Sequence, residues 1–374
     1  MELIIIQSQE HPTLPMAELN AIMETEEING RISSPTVGLA LIEDLNKDNF
    51  DKNYKILVKR LAYAHEIDEI ILKENIEENI NSITNIEENN DNKKIIDENN
   101  SYLNVLISKF KEIDWNKYIN NEFAVRIKKY DNKELDTIAI ERKLGSVIKH
   151  SNPEFKVKLD NPKSLIHIII TKKAIFVGLE KYKINKKHFQ NMKPHKRPFF
   201  YPGSMSPKLA RAMVNLSKVK KGETILDPFC GTGGILIEGG MIGAKLIGSD
   251  INWKMKNGTG INLNYCNFDN WETHHLDVRE LKLYDKVDSV VTDPPYGIST
   301  STGGENSEKI FYQFLDSIAK NMKENALLVM ASPHYLKFDD WLNDLGFKLV
   351  DRHEIKMHKS LTRIISVIAK IKEK

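Results

Sequence analysis

Four predicted strands in the second half of the chain each end in an aspartate, and this repetition constrains the fold more than any other feature. The four residues are Asp227, Asp250, Asp277 and Asp293. Parallel strands of an open α/β sheet finish at one edge, and ligands bind along that edge. The pattern therefore predicts a doubly wound α/β sheet with a row of carboxylates at its ligand-binding edge.

A glycine-rich loop follows the first of these strands. It reads Pro-Phe-Cys-Gly-Thr-Gly-Gly over residues 228–234 and leads into a helix predicted for residues 235–241. Glycines allow a ligand to approach the backbone, and a helix start offers amides without intrahelical partners. Asp250 lies about 23 residues after Asp227, which fits an acid that binds ribose hydroxyls. Asp277 is well placed to accept a hydrogen from an adenine amino group.

Two common nucleotide sites do not fit this loop. A nicotinamide-binding Rossmann site has Gly-x-Gly-x-x-Gly directly after the strand, and a phosphate-gripping loop contains Gly-Lys-Ser or Gly-Lys-Thr. Neither pattern is present between Asp227 and Gly234. Both classes are therefore disfavoured.

The fourth aspartate opens the loop Asp293-Pro294-Pro295-Tyr296-Gly297, which follows an apolar strand. Two prolines cannot extend a sheet, so the strand must stop there. The loop suits a planar exocyclic amine: Asp293 can accept one amino hydrogen, the Pro294 carbonyl can accept the other, and Tyr296 can stack on the base. The alternative interpretation is a turn that only ends a strand.

The glycine-rich loop resembles the first motif of S-adenosylmethionine-dependent methyltransferases that modify exocyclic amines. This resemblance implies that Asp227 faces the methionine part of the cofactor, Asp250 its ribose and Asp277 its adenine. S-adenosyl-L-methionine has no phosphate, so the missing lysine is expected. The implied cofactor site is completed by Pro228, Gly231, Gly233, Ile251 and Val278. In this class of sheet the last strand is antiparallel, and two late strands are predicted at residues 347–355 and 362–368.

The amino-terminal half is predicted to be α+β. Strands at residues 3–6, 38–42 and 55–58, with a helix capped by Thr13 at residues 13–23, indicate a small α+β module over residues 1–60. Further strands are predicted at 123–127, 156–159 and 165–170, with a helix at 135–148. This segment contains, in order, Phe-Ala-Val-Arg (123–126), Glu-Arg-Lys-Leu-Gly (141–145), Val-Lys-Leu-Asp-Asn-Pro (157–162) and the last apolar strand, and it resembles the THUMP domain of tRNA-modifying enzymes over residues 61–172. That resemblance makes Arg126, Arg142 and Lys143 phosphate contacts that position an RNA. The alternative is that these cations only solvate the domain surface.

A basic linker is predicted at residues 173–200, before a methyltransferase domain at residues 201–374. Cations at phosphates supply sequence-independent affinity for nucleic acids, although a solvated linker is the alternative. The predicted RNA-binding cations of the linker are Lys186, Lys187, Lys193, Lys196 and Arg197. The formal net charge of only +2 conceals this segment, because an acidic, asparagine-rich insertion is predicted near residues 74–100.

The linker end Arg197 to Gly203, the helix residues Leu209-Ala210-Arg211, the loop 227–234 and the Asp293-Pro-Pro-Tyr-Gly motif together resemble the archaeal tRNA guanosine N2-methyltransferases that act on position 10. This resemblance implies tRNA as partner and transfer of one or two methyl groups to the guanine amine. The α+β module over residues 1–60 is compatible with the ferredoxin-like module at the amino terminus of the tRNA methyltransferases that this chain resembles. Two alternatives stay open: amino methylation of ribosomal RNA guanine or of adenine in nucleic acid, and a non-catalytic RNA-binding protein with a cofactor fold.

The remaining sequence features bear on location and assembly. No apolar run is long enough for a membrane span and no signal peptide is present, so we expect a cytoplasmic protein without a membrane partner. Cys230 and Cys266 lack the spacing of metal ligands, so no metal is expected. A monomer is expected. The number of methyl groups and the need for a small activating protein are not determined by the sequence.

Overall fold

Strand pairing separates the chain into two sheets that belong to two structural units. The computed structural model describes residues 1–46, 49–75, 103–104, 106–130, 135–295, 307–358 and 361–371. The first unit comprises Met1–Gln7, Gly30–Lys47 and Ala64–Ile184. The second comprises Ser8–Asn29, Asp48–Tyr63 and Asn185–Lys374.

The first unit contains a mixed sheet of eight strands in the order β2-β3-β1-β4-β8-β7-β5-β6. The strands are β1 (Leu3–Gln7), β2 (Arg31–Thr36), β3 (Leu39–Glu43), β4 (Ala64–Asn75), β5 (Glu122–Lys129), β6 (Lys156–Val157), β7 (Ser164–Ile170) and β8 (Ala174–Lys183). β5 is parallel to β6 and β7, and the other neighbours are antiparallel. Phe110, Trp115 and Phe123 lie in its core.

The second unit contains a seven-stranded sheet in the order β11-β10-β9-β12-β13-β15-β14. Its strands are β9 (Thr224–Asp227), β10 (Lys245–Asp250), β11 (Trp271–His275), β12 (Val287–Thr292), β13 (Met322–Pro333), β14 (Phe347–His358) and β15 (Leu361–Lys370). β9 to β13 pair in parallel, whereas β15 is antiparallel to β13 and to β14. The predicted α/β sheet with an antiparallel last strand is confirmed.

The helices described between and beside the strands are α1 (Leu14–Thr25), α2 (Phe50–Arg60), α3 (Thr137–Ser151), α4 (Lys187–Asn191), α5 (Pro207–Leu216), α6 (Gly234–Ile242), α7 (Trp253–Tyr265), α8 (Ser307–Asn321) and α9 (Asp339–Asp344). In the part of the chain that the structure describes, none of them combines the length and the apolar composition needed to cross a bilayer.

Successive residues of the central strands enter two different cores, which explains their continuous apolar sequence. Ile225, Val291 and Val329 belong to the core on one face, beside α5 and α6. Leu226, Val290 and Leu328 belong to the core on the other face, beside α8. Because side chains alternate along a strand, a sheet covered on both faces needs apolar residues at every position.

Two helices are preceded by a residue with a hydroxyl group, and the two hydroxyls have different partners. The Ser206 hydroxyl accepts a hydrogen bond from the Leu209 amide at 3.3 Å and so caps α5. Thr13 precedes α1 but makes no side-chain cap, and its Oγ1 lies 3.0 Å from His353 Nδ1 instead. The hydroxyl therefore serves a long-range contact within the second unit.

The predicted strand at residues 55–58 is wrong, because these residues lie within α2. A short apolar run fits a strand and a helix equally well. Leu57 and Arg60, three residues apart, are the buried residues of α2, which is the spacing of one helical face. The predicted strand at 156–159 is shorter than expected, since only Lys156 and Val157 pair with β5.

The predicted domain boundaries at residues 60, 172 and 200 differ from the bounds of the two structural units. β1, β2 and β3 join the sheet of the first unit, whereas α1 and α2 belong to the second unit. The predicted linker at 173–200 begins with β8, because the apolar residues from Ala174 to Leu179 pair with β4 and β7. Of the predicted insertion at 74–100, residues 76–100 lie outside the described residues.

Candidate active site

The structure brings the four aspartates to one edge of the seven-stranded sheet. Asp227 and Asp250 are the last residues of β9 and β10. Asp277 lies two residues after β11, and Asp293 directly follows β12. Because these strands are parallel, all four carboxylates lie at their carboxyl ends, as the sequence pattern predicts.

The glycine-rich loop is held against the end of β10 by a hydrogen bond from its backbone to the Asp250 side chain. The Gly231 amide donates to Asp250 Oδ2 at 2.9 Å, and the Asn252 amide donates to Oδ1 at 2.8 Å. Gly231 and Gly233 have φ angles of 52° and 77°, a backbone region that favours glycine. A Cβ atom at Gly233 would lie 3.0 Å from Thr259 Cγ2, so the loop is packed closely onto α7.

Asp227 is buried, with 2% of its surface exposed, at the centre of this edge. Its Oδ1 accepts hydrogen bonds from Thr292 Oγ1 at 2.7 Å and from the Phe229 amide at 3.2 Å. Burial raises the pKa of Asp227 to about 7, and the negative charges of Asp250 and Asp293 add to the rise. This carboxyl group can therefore carry a proton near neutral pH.

The pKa values of Asp250 and Asp277, which follow β10 and β11, are shifted in opposite directions. Burial raises the pKa of Asp250 above its ordinary value. Hydrogen bonds from Arg279 lower the pKa of Asp277, whose Oδ2 lies 2.6 Å from Arg279 Nη2. Ile251 is 64% exposed and is open to a planar ligand, whereas the Val278 side chain is buried in the core beside α8. Of these two predicted cofactor contacts, only Ile251 presents its side chain to solvent.

Asp293 is half-buried beside an arginine that sequence reasoning did not identify. Arg363 Nη2, from the start of β15, lies 3.3 Å from Asp293 Oδ2. Pro294 is buried and Pro295 is half-buried. The predicted stacking residue Tyr296 lies outside the described residues. The signal that points to Arg363 is the predicted antiparallel last strand, which brings its first residues to the edge where parallel strands end.

Asn262 of α7 ties the end of the predicted linker to the glycine-rich loop. Its side-chain amide donates to the Phe199 and Thr232 carbonyls at 2.9 and 2.8 Å, and its oxygen accepts from the Phe199 amide at 3.0 Å. A Cβ atom at Gly258 would lie 2.0 Å from the Phe199 ring, so the ring covers α7 where a side chain is missing. The sequence motifs did not reveal this link between Asn262 and the glycine-rich loop.

Residues 194–365 match the family described as RMKL-like, methyltransferase domain, and residues 100–180 match the THUMP domain. The chain is 43% identical over 371 residues to the tRNA (guanine(10)-N2)-dimethyltransferase of Methanothermobacter thermautotrophicus, covering 99% of this chain and 100% of the relative. This chain belongs to the tRNA (guanine(10)-N2)-dimethyltransferase family. The Methanocaldococcus jannaschii tRNA (guanine(10)-N2)-dimethyltransferase is 36% identical over 379 residues, covering 97% of this chain and 98% of its own.

The family resemblance predicted from the motifs is therefore confirmed, and this protein is a tRNA methyltransferase. Its fold is also similar to that of TrmN from Thermus thermophilus, with a TM-score of 0.57 at 15% identity. That similarity covers 99% of this chain and 100% of TrmN. The THUMP match begins at residue 100, later than the predicted boundary at residue 61.

The predicted RNA-binding cations of this methyltransferase are mostly exposed, with one clear exception. Arg197 is 5% exposed, and its Nε donates to the Met192 carbonyl at 2.9 Å. Its guanidinium lies over the start of α6, because a Cβ at Gly234 would be 3.1 Å from Nη1. The expectation that Arg197 contacts a phosphate at the surface is corrected, since burial removes it from solvent.

The other predicted cations lie at positions that a polyanion can reach. Arg142, Lys143, Lys187, Lys193 and Lys196 are exposed, and Lys186 is half-buried. Arg126 is half-buried and lies 3.7 Å from Glu141, while its guanidinium donates to the Val125 and Leu159 carbonyls. Arg126 is therefore engaged within the first unit of the methyltransferase.

One group of side chains in the first unit has the composition of a metal site. Oxygen and nitrogen atoms of Glu66, His167 and Glu180 lie within 4.8 Å of one another. However, Lys128 Nζ lies 2.5 Å from Glu66 Oε2, and His167 Nδ1 lies 2.8 Å from Asp68 Oδ2. A lysine ammonium already supplies a cation beside Glu66, and Asp68 already engages His167.

Proposed function

We propose that this methyltransferase transfers one or two methyl groups from S-adenosyl-L-methionine to the N2 amino group of guanosine 10 in tRNA. The observation that carries the proposal is the convergence of Asp227, Asp250 and Asp293 with the glycine-rich loop at one sheet edge. Family membership supports the substrate and the position of the modified nucleotide.

The donor set of the edge fits the proposed cofactor. Asp250 and Asp277 offer carboxylate oxygens for hydroxyl and amino hydrogens, and Asp227 lies beside the loop amides. No lysine stands in the loop at 228–234, which matches a ligand without phosphates. When bound, S-adenosyl-L-methionine supplies an electrophilic methyl group on a sulfonium centre.

Asp293 and Pro294 carry the proposed role at the substrate. The lone pair of a guanine amino nitrogen is spread into the ring, which makes that nitrogen a weak nucleophile. Asp293 accepts one amino hydrogen and the Pro294 carbonyl accepts the other, so the lone pair is directed away from the ring plane. As positive charge develops on nitrogen, the Asp293 carboxylate stabilises it, and the proton then passes to Asp293 or to water. Catalysis of this kind rests on positioning and electrostatics.

The same geometry allows a second transfer. A monomethylated N2 atom keeps one hydrogen, which still satisfies Asp293 or the Pro294 carbonyl. In a tRNA stem the guanine must first leave its stack, because the amino group is otherwise out of reach. The exposed cations Lys187, Lys193 and Lys196 are proposed to hold the tRNA backbone during that step.

The test is methyl transfer by the purified chain from labelled S-adenosylmethionine to an unmodified tRNA transcript, followed by nucleoside mass analysis. N2-methylguanosine or N2,N2-dimethylguanosine is expected, and a transcript with adenosine at position 10 should not be methylated. Methyladenosine would contradict the choice of base. Equal methylation of ribosomal RNA would contradict the choice of tRNA, and transfer only after a cell extract is added would indicate an activating partner.

A further inference from the structure

The last strand of the methyltransferase sheet brings an arginine to the catalytic edge. β15 runs antiparallel to β13, with Arg363 opposite Pro333 and Ser366 opposite Met330. Met330 is also the partner of Thr292 at the end of β12. Arg363 therefore lies three positions beyond the level of Thr292, towards the edge where Asp293 begins its loop.

The contact between Arg363 and Asp293 joins two partly buried charges. Arg363 Nη2 lies 3.3 Å from Asp293 Oδ2, and the two side chains are 10% and 20% exposed. A charged group removed from water is costly unless an opposite charge accompanies it. The contact therefore gives each of these two charges a partner of opposite sign.

Several carboxyl groups lie close together at this edge of the sheet, so a nearby cation can offset their repulsion. The charges of Asp250 and Asp293 both raise the proton affinity of the buried Asp227. By the same repulsion, Asp227 on β9 makes ionisation of Asp293 less favourable. Arg363 on β15 acts in the opposite direction. The ionised Asp293 carboxylate is a stronger hydrogen-bond acceptor towards an amino group than the protonated form, and only the ionised form can stabilise positive charge on the nitrogen.

We propose that Arg363 is a positioning residue that keeps Asp293 ionised and holds its carboxylate in place for the guanine amino group. This inference rests on the proposed function of Asp293. Arg363 acts through Asp293 and has no contact of its own with the substrate in this proposal. A guanidinium presents several donors in a fixed plane, which suits it to orienting a carboxylate.

The first experiment measures single-turnover methyl transfer at saturating cofactor and tRNA between about pH 5.5 and 9. An opposite charge within hydrogen-bonding range shifts carboxylate ionisation by about one to three pH units. In R363Q the acid limb of the rate profile should therefore move to higher pH by at least about one unit. At pH values below the shifted limb the rate should fall tenfold or more. R363K should keep the acid limb near its original place and recover most of the rate.

A matched control removes an arginine from the neighbouring strand. Arg352 of β14 pairs with Asp339 at 2.5 Å, and both side chains are more exposed than Arg363 and Asp293. R352Q should leave the rate and the profile unchanged. Cofactor and tRNA dissociation constants should be unchanged in all three variants. A rate loss in R363Q that is equal at every pH would overturn the proposal and leave Arg363 a structural residue.

A second measurement does not depend on the substrate. In the full chain labelled with ¹³C at aspartate carboxyl carbons, D293N identifies the Asp293 signal, and its protonation midpoint is followed in the original chain and in R363Q. The midpoint should rise in R363Q by at least about one pH unit. An unchanged midpoint would overturn the inference even if tRNA is methylated. If the chain does not methylate tRNA but the midpoint rises, the proposed function fails while the role of Arg363 towards Asp293 stands.

Discussion

The Thr292 hydroxyl donates a 2.7 Å hydrogen bond to Asp227 Oδ1. Thr292 is the last residue of β12 and Asp227 the last residue of β9, and these strands are neighbours in the sheet. The bond therefore joins the residue that leads into the glycine-rich loop to the residue that precedes Asp293. The glycine-rich loop and the loop that begins at Asp293 are therefore joined by one buried hydrogen bond.

Replacing Thr292 by valine should test that contact, because the side chains have similar shapes and only the hydroxyl is lost. Removing a hydrogen bond to a buried charged group costs about 1–3 kcal/mol, so the free energy of unfolding should fall by that amount. Cofactor affinity should fall as well, since Asp227 loses a fixed partner. Thr292→Ser keeps the hydroxyl and should lose less affinity. Equal affinity in the two variants, measured by titration calorimetry, would contradict this role.

Asp227 should give stability a distinct dependence on pH. Burial raises its pKa from the ordinary 3.8 to about 7 in the folded chain. The folded state therefore binds the proton more tightly than the unfolded state does. The resulting stabilisation is complete below about pH 4 and is lost as the pH rises towards 7, by an amount on the order of 4 kcal/mol at most.

Asp227→Asn removes this titration while keeping a side-chain oxygen for Thr292. The difference in unfolding free energy between the original chain and the variant should therefore change between pH 4 and pH 7, in favour of the original chain at the acid end. Urea unfolding of the chain without cofactor at several pH values is the measurement. A difference that is constant across this range would show that Asp227 titrates normally in the fold.

Asp293 should be needed for transfer and not for binding. Asp293→Ala removes the acceptor at the guanine amino group, and loss of one preorganised group at a reacting centre costs about 10²- to 10³-fold in rate. Asp293→Asn keeps an oxygen acceptor without the charge and should lose less. Filter binding of tRNA and calorimetry of the cofactor should give unchanged affinities. Full activity in the alanine variant would remove Asp293 from the mechanism.

The exposed lysines of the predicted linker should carry part of the tRNA affinity. Each phosphate contact contributes about 0.7–0.9 to the slope of log affinity against log salt. Replacing Lys187, Lys193 and Lys196 by alanine should weaken tRNA binding and reduce that slope by about 2 to 3. A triple variant of Lys282, Lys286 and Lys320 is the matched control, because these exposed lysines lie near the amino ends of β12 and β13. Equal slopes in both triple variants would exclude the linker lysines as phosphate contacts.

The row of aspartates was predictable because it depends on local features: short strands, their carboxyl ends and the parallel pairing that a doubly wound sheet requires. The contact of Arg363 with Asp293 was not predictable. An antiparallel last strand indicates that the first residues of β15 reach this edge, but which of them lies beside Asp293 depends on the register of β15 against β13, a pairing between distant segments. Arg197 shows the limit of charge patterns. It stands in a basic segment with Lys193 and Lys196, yet it alone of these three is buried, because its guanidinium packs onto the start of α6.

The Phe199 ring, at the end of the predicted linker, packs closely against Gly258 of α7. Substitutions in α7 can therefore test whether the linker end supports the glycine-rich loop. A Cβ at Gly258 would lie 2.0 Å from Phe199 Cδ1, whereas a Cβ at Gly260 would lie 3.2 Å from Trp271 Cη2. Alanine at either position gains about 1 kcal/mol of helix propensity. Alanine at 258 must displace the Phe199 ring, at a cost of about 1–3 kcal/mol, whereas alanine at 260 requires only a small shift of the Trp271 ring.

Gly258→Ala should therefore be less stable than Gly260→Ala in urea unfolding. It should also bind the cofactor more weakly, because Asn262 holds both Phe199 and Thr232 and a displaced Phe199 strains that bridge. Gly260→Ala is the control from the same helix. If both variants keep the original cofactor affinity, the linker end only covers α7 and does not support the loop.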